Sequence, residues 1–120
     1  MITESKTRLV GPDITVVEIS GRLSLGNASM SIETSARRLI DEGARKLVLD
    51  VTALTSVDSS GIGMLVGLNS HAEQRGGQMR IAGATGPVAT SFRVVHLDRI
   101  VPLDADVESA CRNLAPAAGA

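Results

Sequence analysis

The amino-acid sequence predicts an α/β domain whose sheet is largely parallel and begins with an antiparallel hairpin. Segments rich in β-branched residues alternate with segments of helical periodicity, as is typical of sheets whose parallel strands are connected by helices. The chain has 120 residues, and 43% of them are hydrophobic, which is enough for the core of one domain. We expect that domain to cover residues 1–114 and residues 115–120 to form a disordered tail.

The first two strands are expected to form the hairpin. Residues 14–19 are rich in β-branched side chains, and residues 8–10 precede them across the turn signal Gly11-Pro12-Asp13. Gly21 is expected to end the second strand.

A helix is predicted from about residue 28 to residue 42. Its apolar residues recur at the spacing of one helical face: Ile32, Ala36, Leu39 and Ile40. Asn27 or Ser29 is suited to cap its start, and Gly43 to follow its end. Residues 46–51 form a nearly continuous apolar run, which is typical of a parallel strand covered on both faces.

The second half of the chain continues the alternation. A helix is predicted from Ser59 or Ser60 to about residue 75, and residues 79–82 predict a short strand. Pro87 suits the first turn of a further helix. The expected inner face of that helix is Val88, Phe92 and Val95. Residues 100–103 predict an edge strand, because proline cannot donate to a ladder. A final helix carries an apolar stripe of Val107, Ala110, Cys111 and Leu114.

The composition argues against several classes of function. Twelve basic and 13 acidic residues give a net charge of −1, which disfavours nucleic-acid or membrane binding through bulk charge. Phe92 is the single aromatic residue, so the chain has no stacking platform for bases. One cysteine, Cys111, and two histidines do not make an ordinary structural zinc site or an internal disulfide. We therefore expect a cytoplasmic binding module with no catalytic residues, cofactor or metal.

The most informative segment is Asp58-Ser59-Ser60-Gly61, between the third strand and the second helix. Asp58 and Ser60 are suited to cap that helix. The free N–H groups and the positive end of the helix dipole would favour a phosphate on Ser59. Phosphorylation there is expected to add about 1.5–2 negative charges to a nearly neutral surface and to leave the fold intact.

Glycines are unusually frequent at the start of this helix. Each of Gly61, Gly63 and Gly67 costs about 1 kcal/mol relative to alanine inside a helix. Close packing between helix and sheet would explain them, and so would the close approach of a partner. The sequence leaves both explanations open.

Residues 57–63, after the strand that contains residues 47–50, closely resemble the signature of the anti-sigma factor antagonists, the single-domain members of the STAS family. The likeness covers nearly the whole chain and includes Gly21-Arg22-Leu23-Ser24. It implies a STAS-type fold with about four helices. It also implies that Asp58, Ser60, Gly61 and Ser24 shape a phosphorylation site at Ser59. Ser24 stands where the family has an acidic residue.

The resemblance further implies the partners of this chain. An anti-sigma factor that is an ATP-dependent serine kinase would phosphorylate Ser59, and a serine phosphatase would reverse the modification. The unphosphorylated chain would bind the kinase and free the sigma factor. Candidate contacts with the kinase lie on or near the exposed end of the second helix: Ile62, Gly63, Met64 and Gly67.

Three other interpretations compete with this one. A dinucleotide site is disfavoured because the spacing from Gly61 to Gly67 has one residue too many before the last glycine. A serine hydrolase is disfavoured because His71, expected to be a solvated helix residue, lies about 18 Å along the helix from Ser59. The alternative that remains is a STAS domain that does not switch, such as a signalling scaffold or a soluble component of a lipid-transport complex.

Overall fold

The computed structural model describes residues 2–114, which form a five-stranded mixed sheet with helices on both faces. The strands are β1 (Glu4–Val10), β2 (Ile14–Leu23), β3 (Lys46–Val57), β4 (Gln78–Ala82) and β5 (Leu103–Asp104). The helices are α1 (Asn27–Asp41), α2 (Ser59–Gln74), α3 (Gly86–Val94) and α4 (Val107–Asn113), with a 3-10 turn at Leu97–Arg99. The tail expected at residues 115–120 lies outside the described residues.

The sheet has the predicted topology. Its strand order is β1-β2-β3-β4-β5. β1 pairs antiparallel with β2, and every later pair is parallel. The prediction of a largely parallel sheet that begins with a hairpin is confirmed.

Two apolar clusters cover the two faces of the sheet. The larger lies under α1, α2 and α3 and includes Leu47, Leu49 and Val51 of β3. The smaller lies under α4 and includes Val48 of the same strand. Because consecutive side chains of a strand point to opposite faces, β3 is buried on both sides, as its nearly continuous apolar run predicts.

The segment between α3 and β5 differs from its prediction. The predicted edge strand is present, since β5 lies at one edge of the sheet, but its expected bounds of 100–103 are wrong, because β5 covers only Leu103–Asp104. The backbone before it folds locally, and the N–H groups of Ile100 and Val101 both donate to the carbonyl of Leu97 at 2.9 Å. Val95 is 47% exposed instead of facing the core. The helix ends one residue earlier, and the left-handed backbone of His96 (φ 55°) turns Leu97 into the core in its place.

The start of α1 also differs from its prediction. Its N-cap is Gly26, with no side-chain cap, and Asn27 is the first helical residue. Ser29 uses its hydroxyl elsewhere, because its Oγ accepts the backbone N–H of Ser24 at 3.1 Å. The capping roles expected for Asn27 and Ser29 are therefore wrong, whereas Gly43 follows the helix end with the left-handed φ of 115° that favours glycine.

None of the helices within residues 2–114 combines the length and the apolar character needed to cross a membrane.

Candidate functional site

The candidate site lies where β2 and β3 end side by side and α2 begins. Leu23 and Val57, the last residues of the two strands, are register partners. One residue further on, the backbone N–H of Asp58 donates to the carbonyl of Leu23 at 3.1 Å. This edge, at the carboxyl ends of parallel strands, is where α/β sheets commonly carry their binding residues.

Asp58 caps α2, as the sequence predicts. Its backbone is extended, and its Oδ1 accepts the backbone N–H of Gly61 at 2.9 Å. Its own carbonyl accepts the N–H of Ile62 at 3.0 Å, which is the first bond of the helix. Ser60, the other expected cap, is already the second helical residue, so its capping role is wrong.

Ser59 is the first residue of α2 and is exposed, as is Ser60. Neither hydroxyl makes a hydrogen bond within residues 2–114. The first turn of α2 holds no acidic residue. Both hydroxyls are therefore accessible to a phosphoryl donor, at the end of the helix where the dipole favours negative charge.

Ser24 lies beside this helix start. It follows Leu23, whose carbonyl is bonded to Asp58, and its backbone N–H is held by Ser29 Oγ. Its side chain is half-buried. The strand ends thus bring Ser24 next to the Asp58-Ser59-Ser60-Gly61 motif, although Asp58 comes 34 positions after Ser24 in the sequence.

The glycines of α2 divide into two kinds. Gly61 packs against the sheet, since a Cβ there would overlap the carbonyl oxygen of Leu23 and lie 2.8 Å from Cγ2 of Val57. A Cβ on Gly63 would meet nothing within 4 Å. On Gly67 it would lie 3.3 Å from a guanidinium nitrogen of Arg37. Close packing between helix and sheet therefore accounts for Gly61 and leaves Gly63 unexplained.

The four expected partner contacts are not equally accessible. Gly63 is exposed, and Ile62 and Gly67 are half-buried. Met64 is 7% exposed and belongs to the core under α2. Its expected contact with a partner is wrong, because the helix turns this side chain toward the sheet.

A groove beside Ser59 was not anticipated from the sequence. Its volume is about 330 Å³, and α2 and α3 form its two sides. Its lining residues are Val57, Asp58, Ser59, Ile62, Thr90, Ser91, Val94 and Val95. Val94 is 72% exposed. The helical spacing predicted that Val95 faces the core, so the sequence did not indicate an exposed apolar surface at this end of α3.

His71 lies near the other end of α2 and is not the solvated residue that we expected. Its side chain is 14% exposed, and its Nε2 lies 2.8 Å from Oδ1 of Asp41. Nε of Arg75 lies 2.8 Å from the same oxygen. The hydrogen bond from His71, together with the charge of Arg75, lowers the pKa of Asp41. These contacts join the ends of α1 and α2, remote from Ser59.

Metal ligands are not brought together in the described part of the chain. No group of three or more His, Cys, Asp or Glu side chains within residues 2–114 could hold an ion.

Comparison with known proteins gives a family and a set of similar folds. The family model of the STAS domain matches residues 7–110 of this chain. A solved anti-sigma factor antagonist from Mycobacterium paratuberculosis superposes with a TM-score of 0.82 at 16% identity, covering 94% of each chain.

Two further solved structures broaden this comparison. SpoIIAA, a Bacillus cell fate determinant solved in its phosphorylated form, superposes with a TM-score of 0.70 at 22% identity, covering 90% of this chain and 96% of that one. A sulfate transporter family protein from Wolinella succinogenes also gives 0.70, at 14% identity, covering 86% and 85% of the two chains. At these identities the superpositions establish a common fold.

Proposed function

Since this chain belongs to the STAS domain family, we propose that it is a cytoplasmic anti-sigma factor antagonist controlled by phosphorylation of Ser59. In the unphosphorylated state it binds an anti-sigma factor that is also a serine kinase, and the sigma factor is released. In the phosphorylated state it does not bind, and a serine phosphatase restores the hydroxyl. The chain acts by binding and catalyses no reaction itself.

The observation that carries this proposal is the exposed hydroxyl of Ser59 at the first position of α2. The modification transfers the γ-phosphoryl group of ATP to Oγ of Ser59, with loss of the hydroxyl proton and release of ADP. All the catalytic groups belong to the kinase, which agrees with the scarcity of catalytic side chains in this chain.

The local geometry favours a switch that spares the fold. Because Asp58 already satisfies the N–H of Gly61, the cap does not depend on Ser59. A phosphate on Ser59 would face the positive end of the α2 dipole, which is stabilising. The carboxylate of Asp58 would repel it, which opposes that gain. The two effects act in opposite directions at one helix end, so the free energy of unfolding is expected to change little.

Fold likeness supports the same role. One of the similar structures is itself a phosphorylated protein, SpoIIAA, and another is described as an anti-sigma factor antagonist. In this chain, the exposed hydroxyl of Ser59 at the start of α2 is the site that we propose for the modification.

The test compares two neighbouring hydroxyls. Ser59→Ala and Ser60→Ala are each incubated with ATP and the purified serine-kinase anti-sigma factor of the host, and phosphate is located by mass spectrometry. Ser59→Ala is expected to remain unmodified and still bind the kinase, whereas Ser60→Ala is modified at Ser59. Phosphate on Ser60 of the wild-type protein would contradict the assignment.

A STAS domain that does not switch is the second candidate, favoured by the likeness to a sulfate transporter family protein. It would act as a scaffold, or as a soluble component of a transport complex such as one for lipids. In that case Ser59→Asp would bind the partner as tightly as the wild type. A loss of binding in Ser59→Asp excludes this candidate.

A further inference from the structure

A wide cavity lies at the end of the sheet opposite to Ser59. Its volume is about 730 Å³, and it is placed where β2, β3 and β4 begin and where α1 and α2 end. Cavities of this size commonly hold small molecules. The polar side chains that line it are Asp13, Thr15, Arg45, Lys46 and Gln78.

Thr15 is a buried polar residue for which the fold provides no partner. It is 7% exposed, and its hydroxyl makes no hydrogen bond within residues 2–114. No side-chain oxygen or nitrogen in this part of the chain is both unpartnered and closed off from solvent. The small exposed part of Thr15 must therefore include its hydroxyl, which reaches the cavity that Thr15 lines. A bound molecule would supply the hydrogen bond that the protein leaves unmade.

Arg45 presents unused donors to the same cavity. Its Nη1 donates to the carbonyls of Ile40 at 3.0 Å and Ala44 at 3.1 Å, which holds the guanidinium at the end of α1. Its Nη2 and Nε donate to no group within residues 2–114. A guanidinium that is fixed by main-chain bonds and keeps two nitrogens for a ligand is suited to bind an oxyanion.

Lys46 and Asp13 complete the charge of the lining. Nζ of Lys46 lies 2.8 Å from Oδ2 of Asp13, and the two side chains are 16% and 50% exposed. An ammonium group has three donors, so Lys46 can hold a ligand while it contacts Asp13. Together with Arg45, the lining carries two positive charges and one negative charge, and this balance favours an anion.

The helix ends beside the cavity oppose an anion only weakly. The carboxyl end of a helix is negative because its last carbonyls have no partner within the helix. Here the carbonyl of Leu39 in α1 accepts the N–H of Ala44 at 2.9 Å, and the carbonyl of Ala72 in α2 accepts the N–H of Gly77 at 2.8 Å. Arg45 adds a full positive charge at the end of α1, so the side chains decide which charge the cavity favours.

One wall of the cavity is apolar. Leu9 and Pro12 line it, and Leu9 is 74% exposed. Leu9 is the register partner of Thr15, so this wall lies beside the unpartnered hydroxyl on the adjacent strand. We propose that the cavity binds a small molecule that joins an oxyanion to a short aliphatic chain. Arg45, Lys46 and Thr15 bind the oxyanion, and the aliphatic chain lies on Leu9.

Binding is tested with three probes that share a six-carbon chain: hexanoate, hexyl phosphate and hexylammonium. Each is titrated into the full chain and followed by amide NMR spectroscopy, with Gly43 and Gly76 as reporters because both line the cavity. At least one of the two anions should shift both signals with a Kd of about 1 mM, as expected for so small a ligand. Hexylammonium should bind at least about tenfold more weakly. The stronger anion shows whether the oxyanion is a carboxylate or a phosphate.

Thr15→Val separates binding from a structural role, because valine has nearly the same shape and lacks the hydroxyl. It should weaken binding of the anion about tenfold, since a hydrogen bond to a charged group is lost. It should not lower the Tm, because no hydrogen bond within residues 2–114 is broken. Thr7→Val is the matched control and should leave binding unchanged, since Thr7 is an exposed residue of β1 outside the cavity.

Asp13→Asn tests the charge of the ligand. Removal of this carboxylate should tighten binding of the anion about threefold at an ionic strength of about 0.05 M, and the gain should shrink at about 0.5 M. A cationic ligand would respond in the opposite direction, because it would lose a favourable charge.

Three results would overturn the inference. These are stronger binding of hexylammonium than of either anion, a Thr15→Val variant that binds like the wild type, and no shift at Gly43 and Gly76 with any probe at about 10 mM. Phosphorylation of Ser59 enters none of these measurements. The inference and the proposed function can therefore fail independently.

Discussion

Replacing Gly61 by alanine is expected to destabilise the protein even though alanine is the better helix former. The new Cβ would overlap the carbonyl oxygen of Leu23 and lie 2.8 Å from Cγ2 of Val57. The carbonyl has little freedom to move, because it accepts the N–H of Asp58 at 3.1 Å. The helix start must therefore move away from the sheet.

The size of the effect follows from two opposing contributions. Overpacking against a fixed backbone atom costs about 3 kcal/mol, and the helix gains about 1 kcal/mol when glycine becomes alanine. The net loss is about 2 kcal/mol, which lowers the Tm of a domain of this size by about 10 °C.

Gly63→Ala is the matched control, two residues further along the same helix. A Cβ there would meet nothing within 4 Å, so only the gain in helix propensity of about 1 kcal/mol remains. The Tm is expected to rise by about 5 °C. The same substitution thus has opposite signs at two positions in one turn of helix.

Far-UV circular dichroism suits this comparison, because the chain has no Trp and no Tyr for a fluorescence assay. Thermal and urea unfolding of the two variants and the wild type would give the two free-energy differences. A neutral or stabilising Gly61→Ala would refute the close-packing argument. A destabilising Gly63→Ala would show that its surroundings are not open.

Two further predictions concern strain and pH. His96→Gly should raise the free energy of unfolding by up to about 1 kcal/mol in a urea titration, since φ is 55° there and glycine adopts this region without steric cost; a lower urea midpoint would contradict this. The hydrogen bond from His71 is the main cause of the lowered pKa of Asp41 in the folded state. The ionised carboxylate of Asp41 therefore stabilises the fold at pH values above the ordinary aspartate pKa of 3.8. This contribution to stability is lost as the pH falls through the lower pKa of the folded state. Asp41→Asn should therefore reduce the slope of stability against pH in that acidic range, and an unchanged slope would show that the contact contributes nothing.

The sequence predicted correctly those features that depend on residues close together in the chain. The run at residues 46–51 predicts a strand buried on both faces, because its consecutive apolar residues Leu47, Val48 and Leu49 point alternately to the two faces of the sheet. The cap at Asp58 was predictable because its acceptor and donor lie three residues apart in the sequence. Neither prediction required knowledge of contacts between residues that are far apart in the sequence.

The errors arise where tertiary contacts override the local pattern. Val88, Phe92 and Val95 have helical spacing, yet the chain leaves the helix at Val94, and the left-handed residue His96 carries no strong sequence signal. Met64 was expected at the surface because the sequence does not fix how α2 rotates over the sheet.

The candidate site was therefore predicted in part. The accessible Ser59 follows from the motif, but the groove requires α3, which begins 27 residues after Ser59 in the sequence. Ser59 and α3 come close together because the chain leaves α2, forms the parallel strand β4 and only then forms α3. No local pattern could have revealed that contact.

The attachment of α2 to the sheet has a consequence for how this protein can evolve. The position of Ser59 above the sheet is fixed by main-chain atoms, namely the carbonyl of Leu23 and the amide of Asp58, and by the missing side chain of Gly61. The aliphatic side chains beneath can be exchanged for others of similar volume without displacing the hydroxyl. Selection on the core and selection on the serine can then proceed almost independently, so the surface around Ser59 can adapt to a new partner while the serine keeps its place.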